Sequence, residues 1–225
     1  MVRLRPMRAA RLLGAVAAGY GLGGVPTADL ACRLATGGTV DLRTTGSGNP
    51  GAANAMRVLG WGWGYSILGA DIAKGALACV AGRSLGGPNG CHLGGAAAVV
   101  GHCFPVTSHF KGGKGVAASV GQCLITFPAY FPIDLAVATL TSFGPWRHRA
   151  YGAIALSSTL WVASGVLWWR RGWSNWWGPP PSAALPLASA VSSAVILSRF
   201  IAAQRAGLGD ANSAESAESA RQVAE

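Results

Sequence analysis

Apolar residues in this chain of 225 fall into long runs, and the polar positions gather between them. The first run, Leu12 to Ala35, follows Arg3, Arg5, Arg8 and Arg11 and contains Asp29 and Arg33. It extends too far for the apolar region of a cleaved signal and shows no convincing cleavage site, so it predicts a retained helix. A second run spans Val58 to Gly82, with Asp71 and Lys74 near its middle. A third, Cys91 to Val106, is short against the roughly 17–25 residues of an upright membrane crossing. Val116 to Phe143 carries Pro128 and Pro132, predicting either one tilted span or two short helices meeting near Phe127–Phe131. Ala150 to Trp169 and Ala183 to Ala203 complete the series, separated by a tryptophan-rich stretch and three prolines that read as an interfacial aromatic belt and a turn. The pattern predicts an all-α polytopic membrane bundle of about seven transmembrane helices. A basic segment (1–10) precedes the membrane domain (11–207), and a polar, disordered tail (208–225) follows it.

Composition sharpens this picture. Hydrophobic residues reach 51% and charged residues only 12%, about half the roughly 25% of globular chains. Mean hydropathy is +0.36. So few charges cannot coat a soluble protein of this size. The net charge of +10 comes from cations at the edges of apolar runs, a placement that suits lipid headgroups and argues against a nucleic-acid partner. The five cysteines form no C-x-x-C pair and read as small buried hydrophobes, with no metal cluster implied.

Two crossings separate the 36–57 loop from the 107–115 loop, so both face one side of the membrane. Counting Val116–Phe143 as two spans returns the Arg147–Arg149 turn and the segment after Phe200 to that same side. The N-terminal arginines favour a cytoplasmic N-terminus. The larger set of Lys and Arg on the loop side outweighs them and places the loops in the cytoplasm, in a cell inner membrane.

These two loops carry the candidate chemistry. In the first, Gly46-Ser47-Gly48-Asn49-Pro50-Gly51 leads into Asn54 and Arg57. Small residues let backbone N–H groups converge on an anion, Ser47 and Asn54 add neutral donors, and Arg57 adds a planar fork. In the second, Lys111-Gly112-Gly113-Lys114-Gly115 stands at the start of an apolar helix, a cationic nest at a helix N-terminus. The spacing is not that of a nucleotide-binding loop. Two phosphate-type nests on one face suit a reaction whose donor and acceptor both carry phosphate.

Gly46–Gly60, Asp71–Gly75 (DIAKG) and Gly101–Ala117 (GHCFPVTSHFKGGKGVA) together resemble the bacterial acyl-phosphate:glycerol-3-phosphate acyltransferases, the PlsY family. The resemblance covers about residues 20–205. It implies seven membrane helices and a cytosolic site that moves a fatty acyl group from acyl phosphate to the sn-1 hydroxyl of glycerol 3-phosphate, giving lysophosphatidic acid for phospholipid synthesis. It implies essential roles for Ser47 and Arg57 near the substrate phosphates, and an acyl-phosphate site at Lys111–Gly115. The chain departs from the family's third motif: near the last helix the family carries a His and an Asn, whereas here the sequence reads Ser198-Arg199-Phe200-Ile201. Arg199 or Arg205 would then supply charge in place of the lost donors, or acceptor binding is altered.

Acyl phosphate is an activated mixed anhydride, so positioning and charge stabilisation matter more than a strong nucleophile. The candidate catalytic set is Ser47, Arg57, His102, Lys111 and Lys114, with Gly48, Asn49, Asn54, Gly112, Gly113 and Gly115 binding phosphate and no cofactor required. His102 reads as orienting the second loop or moving a proton. His92, His109 and His148 read as interfacial. Asp71 with Lys74, and Asp29 with Arg33, sit at helical spacing and predict ion pairs, while Asp134 lacks an obvious partner. The rival readings are a small transporter using the intramembrane charges, and an inactive or altered-substrate relative.

Overall fold

The computed structural model describes residues 4–142 and 150–206, all helix, turn and loop. The elements are α1 (Leu4–Gly23), α2 (Thr27–Thr36), α3 (Ala52–Val58), α4 (Trp61–Cys103), α5 (Val116–Thr126), α6 (Phe131–Ser142), α7 (Ala150–Arg171) and α8 (Ala184–Arg205). The stretches containing α4, α7 and α8 are long and apolar enough to cross a membrane, and α5 and α6 are shorter apolar helices. The expected polar tail and the Arg147–Arg149 turn lie outside the described residues.

The centre of the bundle is α4, which is two antiparallel arms. Gly87 breaks it with φ 65° and ψ −153°, a conformation favourable only to glycine, and Pro88 opens the second arm. The arms meet through Gly82 and Gly90, where a Cβ on either would overlap the carbonyl of the other. The same logic repeats around them: Gly19 of α1 lies on Gly94, and Gly75 on Ala118 of α5. Lipid tails are as apolar as leucine, so helices in a membrane associate by close backbone packing, and this is where the chain's many glycines are used.

The run Leu12–Ala35 does not form one helix. Gly24, Val25 and Pro26 divide it into α1 and the short α2, because Pro26 has no N–H to continue the ladder. The expected Asp29–Arg33 pair is corrected accordingly: Asp29 is instead gripped by Arg43 from the following loop. The Asp71–Lys74 pair is present at 2.9 Å within the first arm of α4. Thr27 Oγ1 donates to Asp71 at 2.7 Å, and Lys74 Nζ donates to the Val25 carbonyl at 3.2 Å. The pair thus staples the α1–α2 break to α4, satisfying two charges that would be costly alone in this interior.

Of the two alternatives for Val116–Phe143, the chain takes two helices. Phe127 and Tyr130, both fully buried and stacked at 5.3 Å, hold the break against Trp161 and Leu185. Asp134 has a partner after all, since Ser157 Oγ donates to it at 2.7 Å. The tryptophan-rich turn lies at this end of the bundle, where Asn175 Nδ2 and Trp177 Nε1 donate to the Thr126 and Leu124 carbonyls. All five cysteines are buried, as expected. His92 is corrected from interfacial to core: it is wholly buried between helices with neither ring nitrogen hydrogen-bonded.

Candidate active site

At the end of the bundle opposite the tryptophans, the two expected loops come together. Four elements build this end: the turn after α2, the short α3, the C-terminal end of α4 with the loop beyond it, and the last turns of α8.

The first loop is organised from within by Asn54, buried at the start of α3. Its carbonyl accepts from the Ser47 backbone N–H at 2.9 Å, and its amide donates to the Leu42 and Thr45 carbonyls at 3.0 and 2.9 Å. Both N–H donors and the oxygen of that amide are therefore engaged in shaping the loop. Gly46 and Gly48 take positive φ on either side of Ser47. Asn54→Ala should cost about 1–3 kcal/mol by orphaning these buried loop groups. Thermal unfolding in detergent measures it, and an unchanged midpoint would count against the role given to Asn54.

The second loop lies back on the end of α4. Gly112 and Gly113 donate their backbone N–H groups to the Cys103 and His102 carbonyls, each at 3.2 Å. A Cβ on Gly112 would overlap the His102 carbonyl, and one on Gly113 would overlap the His102 ring. Gly115 turns into α5 with φ 89°. The glycines of this string are therefore required mainly by close approach to α4, more than by the backbone freedom expected of an anion nest. His102 is buried beneath the loop with Nδ1 3.6 Å from Asp71.

Arg43 joins the two loops, a role the sequence pattern did not disclose. Its Nε donates to the Lys111 carbonyl at 2.9 Å while its two terminal nitrogens fork onto Asp29. Ser108 Oγ donates to the same carboxylate at 3.0 Å. Burial works against the charge on Arg43, but Asp29 and Asp41 more than restore it. An arginine in a polar loop looks like any headgroup anchor, so only the fold reveals this fork.

Arg199 of α8 completes the site. Its Nε and Nη2 donate to the Gly113 and Gly112 carbonyls at 3.2 and 2.8 Å, and its guanidinium lies 5.4 Å from the Phe104 ring. A cavity of about 610 Å³ opens between Arg43, Gly48, Thr107, Lys111, Gly112 and Arg199, and Asp29 and Asp41, both paired with Arg43, also line it. A smaller one of about 170 Å³ lies between Ser47, Gly48, Asn49, Lys114 and Arg199. Arg199 and Gly48 border both. Arg57, on the exposed last turn of α3, is outside both linings, as is His102.

Lys114 is half-buried, its ammonium 4.7 Å from the Phe200 ring. Burial and then the charge of Arg199 hold it below the usual lysine range. Neither cation is ion-paired to a carboxylate among the described residues. On the far side of Phe200 begins an apolar groove of about 670 Å³, lined by Val116, Val120, Val137, Ile154, Trp161 and Ile196 among others. That size suits a small-molecule cleft of roughly 300–1,000 Å³. Lys114 thus stands where a cationic polar pocket meets an apolar groove.

A family model described as glycerol-3-phosphate acyltransferase matches residues 13–205. Among curated relatives, the glycerol-3-phosphate acyltransferase of Desulforudis audaxviator (strain MP104C) is 38% identical over 170 residues, 76% of this chain and 82% of that protein. One from Thermus thermophilus is 43% identical over 159 residues, 65% of this chain and 78% of its own. With that of Thermoanaerobacter sp. (strain X514), at 36% identity, the chain spans 65% of the relative's length. The crystal structure of PlsY (YgiH), an integral membrane glycerol 3-phosphate acyltransferase, in its glycerol 3-phosphate form superposes with a TM-score of 0.66 and 25% identity. That match covers 90% of this chain and 92% of the other. The chain is an integral membrane protein, and with the family model matched across most of its length it belongs to the glycerol-3-phosphate acyltransferase family.

Proposed function

We propose that this protein transfers a fatty acyl group from acyl phosphate to the sn-1 hydroxyl of glycerol 3-phosphate, releasing lysophosphatidic acid and phosphate. One observation carries the reading: Lys114 and Arg199, two cations without carboxylate partners among the described residues, face the Ser47–Asn49 loop at the mouth of an apolar groove. An acyl phosphate has that shape, a long apolar tail joined to a compact anion. Its tail fills the groove between α5, α6, α7 and α8, and its phosphate meets Lys114. The larger cavity, with Arg43, Lys111 and Arg199, takes the polar acceptor. Relatives of known structure include glycerol 3-phosphate and lysophosphatidic acid forms, which supports this choice of acceptor and product.

The acceptor hydroxyl attacks the acyl carbonyl directly. The C–O bond to phosphate breaks, and the departing phosphate keeps the electron pair beside Lys114 and Arg199, whose charges cost no reorganisation when the anion leaves. A substrate phosphate oxygen takes the hydroxyl proton. His102 positions the glycine loop and does not touch substrate in this scheme, and Asn54 shapes the first loop. Arg57 holds a substrate phosphate only if the loop closes toward it. The transporter reading is weakened, because Asp71 and Lys74 are spent on each other and on the α1–α2 break, and Asp134, on the groove wall, accepts from Ser157. In orientation, the site face carries Arg33, Arg43, Arg57, Lys111, Lys114, Arg199 and Arg205, which favours a cytoplasmic face of the inner membrane.

The test is the purified chain with palmitoyl phosphate and labelled glycerol 3-phosphate. Lysophosphatidic acid should form with no acyl-enzyme detectable by mass spectrometry. Absence of product sinks the activity, and an acyl group trapped on Ser47 or a cysteine sinks the direct attack.

A pH dependence follows from Lys114. Its folded pKa lies below that of a free lysine, so it loses its charge at a lower pH than an exposed lysine would. Between the folded and unfolded values the unfolded chain holds more protons, so this group adds stability as pH rises even while activity falls. Arg199→Gln removes the repulsion, and the alkaline limb of kcat/KM should move to higher pH. An unmoved limb would mean that Lys114 does not set it.

A further inference from the structure

A second cationic cavity, of about 500 Å³, lies at the end of the bundle opposite the site. Arg8 and Arg11 of α1 and Arg83 of the first arm of α4 surround it, together with Met7, Ser84 and Leu85. They are brought together because α1 packs on the hairpin turn: a Cβ on Gly86 would lie 2.9 Å from Leu12 and 3.7 Å from the Ala15 side chain. From Arg8 to Gly23, beside the active site, α1 rises about 22 Å at roughly 1.5 Å per residue. This cavity therefore belongs to the other membrane face and cannot serve the acyl-transfer site.

Its chemistry is one-sided. No carboxylate lines it, and none of the three arginines has an ion-pair partner among the described residues. The second arm of α4 begins at this end, at Pro88, and the first arm ends here, so their helix dipoles offset one another and the three arginines set the local charge. The rim is apolar, with Met7 59% and Leu85 43% exposed, and Leu13 on the next turn of α1 is 68% exposed. Cations without ion-pair partners among the described residues, beside exposed aliphatic side chains at a bilayer surface, match an amphiphile whose head is anionic. A free phosphate would have no use for the apolar rim.

We propose that this cavity binds the phosphate headgroup of an anionic glycerophospholipid from the leaflet opposite the active site. Arg8, Arg11 and Arg83 hold the phosphate, and the acyl chains run down past Leu13 and Leu85. The proposal is independent of what the enzyme site transfers.

The experiment is native mass spectrometry of the full chain in detergent, titrated with phosphatidylglycerol or phosphatidylcholine. The wild type should retain one tight phosphatidylglycerol in excess over phosphatidylcholine, with retention falling as salt rises. Arg83→Gln, and separately Arg11→Gln/Arg83→Gln, should weaken it about tenfold, while Arg83→Lys keeps most of it. Lys114→Ala should leave it untouched, which separates this lipid from one held in the active site. Acyl transfer by Arg83→Gln at the wild-type rate certifies its fold. Equal retention of both lipids, retention unchanged in the glutamine variants, or displacement by inorganic phosphate as effective as by phosphatidylglycerol would each overturn the proposal.

Discussion

Gly112→Ala is expected to reduce acyl transfer by about 100-fold or more while leaving a folded, membrane-extractable protein. The added methyl would overlap the His102 carbonyl and lie 2.6 Å from Pro105 Cδ and 2.8 Å from the Cys103 carbonyl. These are backbone and ring atoms that cannot rotate aside, so the loop itself has to lift from the end of α4. Its hydrogen bonds to Cys103 and His102 lengthen, and Arg199, which donates to the Gly112 and Gly113 carbonyls, is carried with it. A displacement near 1 Å of charged groups around a reacting centre is enough for a loss on the order of 100-fold. Gly62→Ala is the control. A Cβ there meets nothing within 4 Å, so alanine fits in the first turn of α4 without displacing a neighbour. Activity of Gly112→Ala near that of Gly62→Ala would show that the tight seat of the loop does not matter.

Lys114→Ala should lower kcat by about 100- to 1,000-fold, the usual cost of removing one preorganised group from a developing anion. The fall belongs in kcat more than in KM, because the phosphate gains charge as the C–O bond breaks and the ammonium is worth most at that moment. Lys114→Arg retains charge, but the longer planar fork places that charge differently from the compact ammonium, so only part of the rate should return. A rise in KM for acyl phosphate at constant kcat would reassign Lys114 to ground-state binding. Equal rates in wild type and Lys114→Ala would move the leaving-group site away from this loop.

The apolar runs and the two glycine-rich loops are readable from the sequence, because both are properties of contiguous residues, although the run Leu12–Ala35 divides at Pro26 into α1 and α2. Pro128 and Pro132 announced a break, and the burial of Phe127 and Tyr130 shows what holds it. Asp71 and Lys74 were recognisable as a pair from their spacing on one helix. Asp29 was not so simple: the spacing to Arg33 was right, yet Arg43 reaches it from a loop and can also bond the Lys111 carbonyl. His92 misled for a related reason. A histidine near a glycine-rich turn has the same local pattern whether it faces headgroups or a helix, and here neighbouring helices close over it. Asn54 looked like a donor for phosphate because its type permits that, and its use depends on where the Leu42 and Thr45 carbonyls end up.

What the chain's order of residues determined alone is a helical membrane bundle with two small-residue loops on one side, since hydropathy period, proline placement and crossing parity are local or additive. What only the tertiary structure decided is which cations act together. Arg199 lies 85 positions from Lys114, yet both border one small cavity, and Arg43 couples loops that α3 and the whole α4 hairpin separate in sequence. Charge–charge and hydrogen-bond energies depend on a few ångströms of separation through space. That distance is set by glycine-mediated helix approach, and no spacing along the chain encodes it.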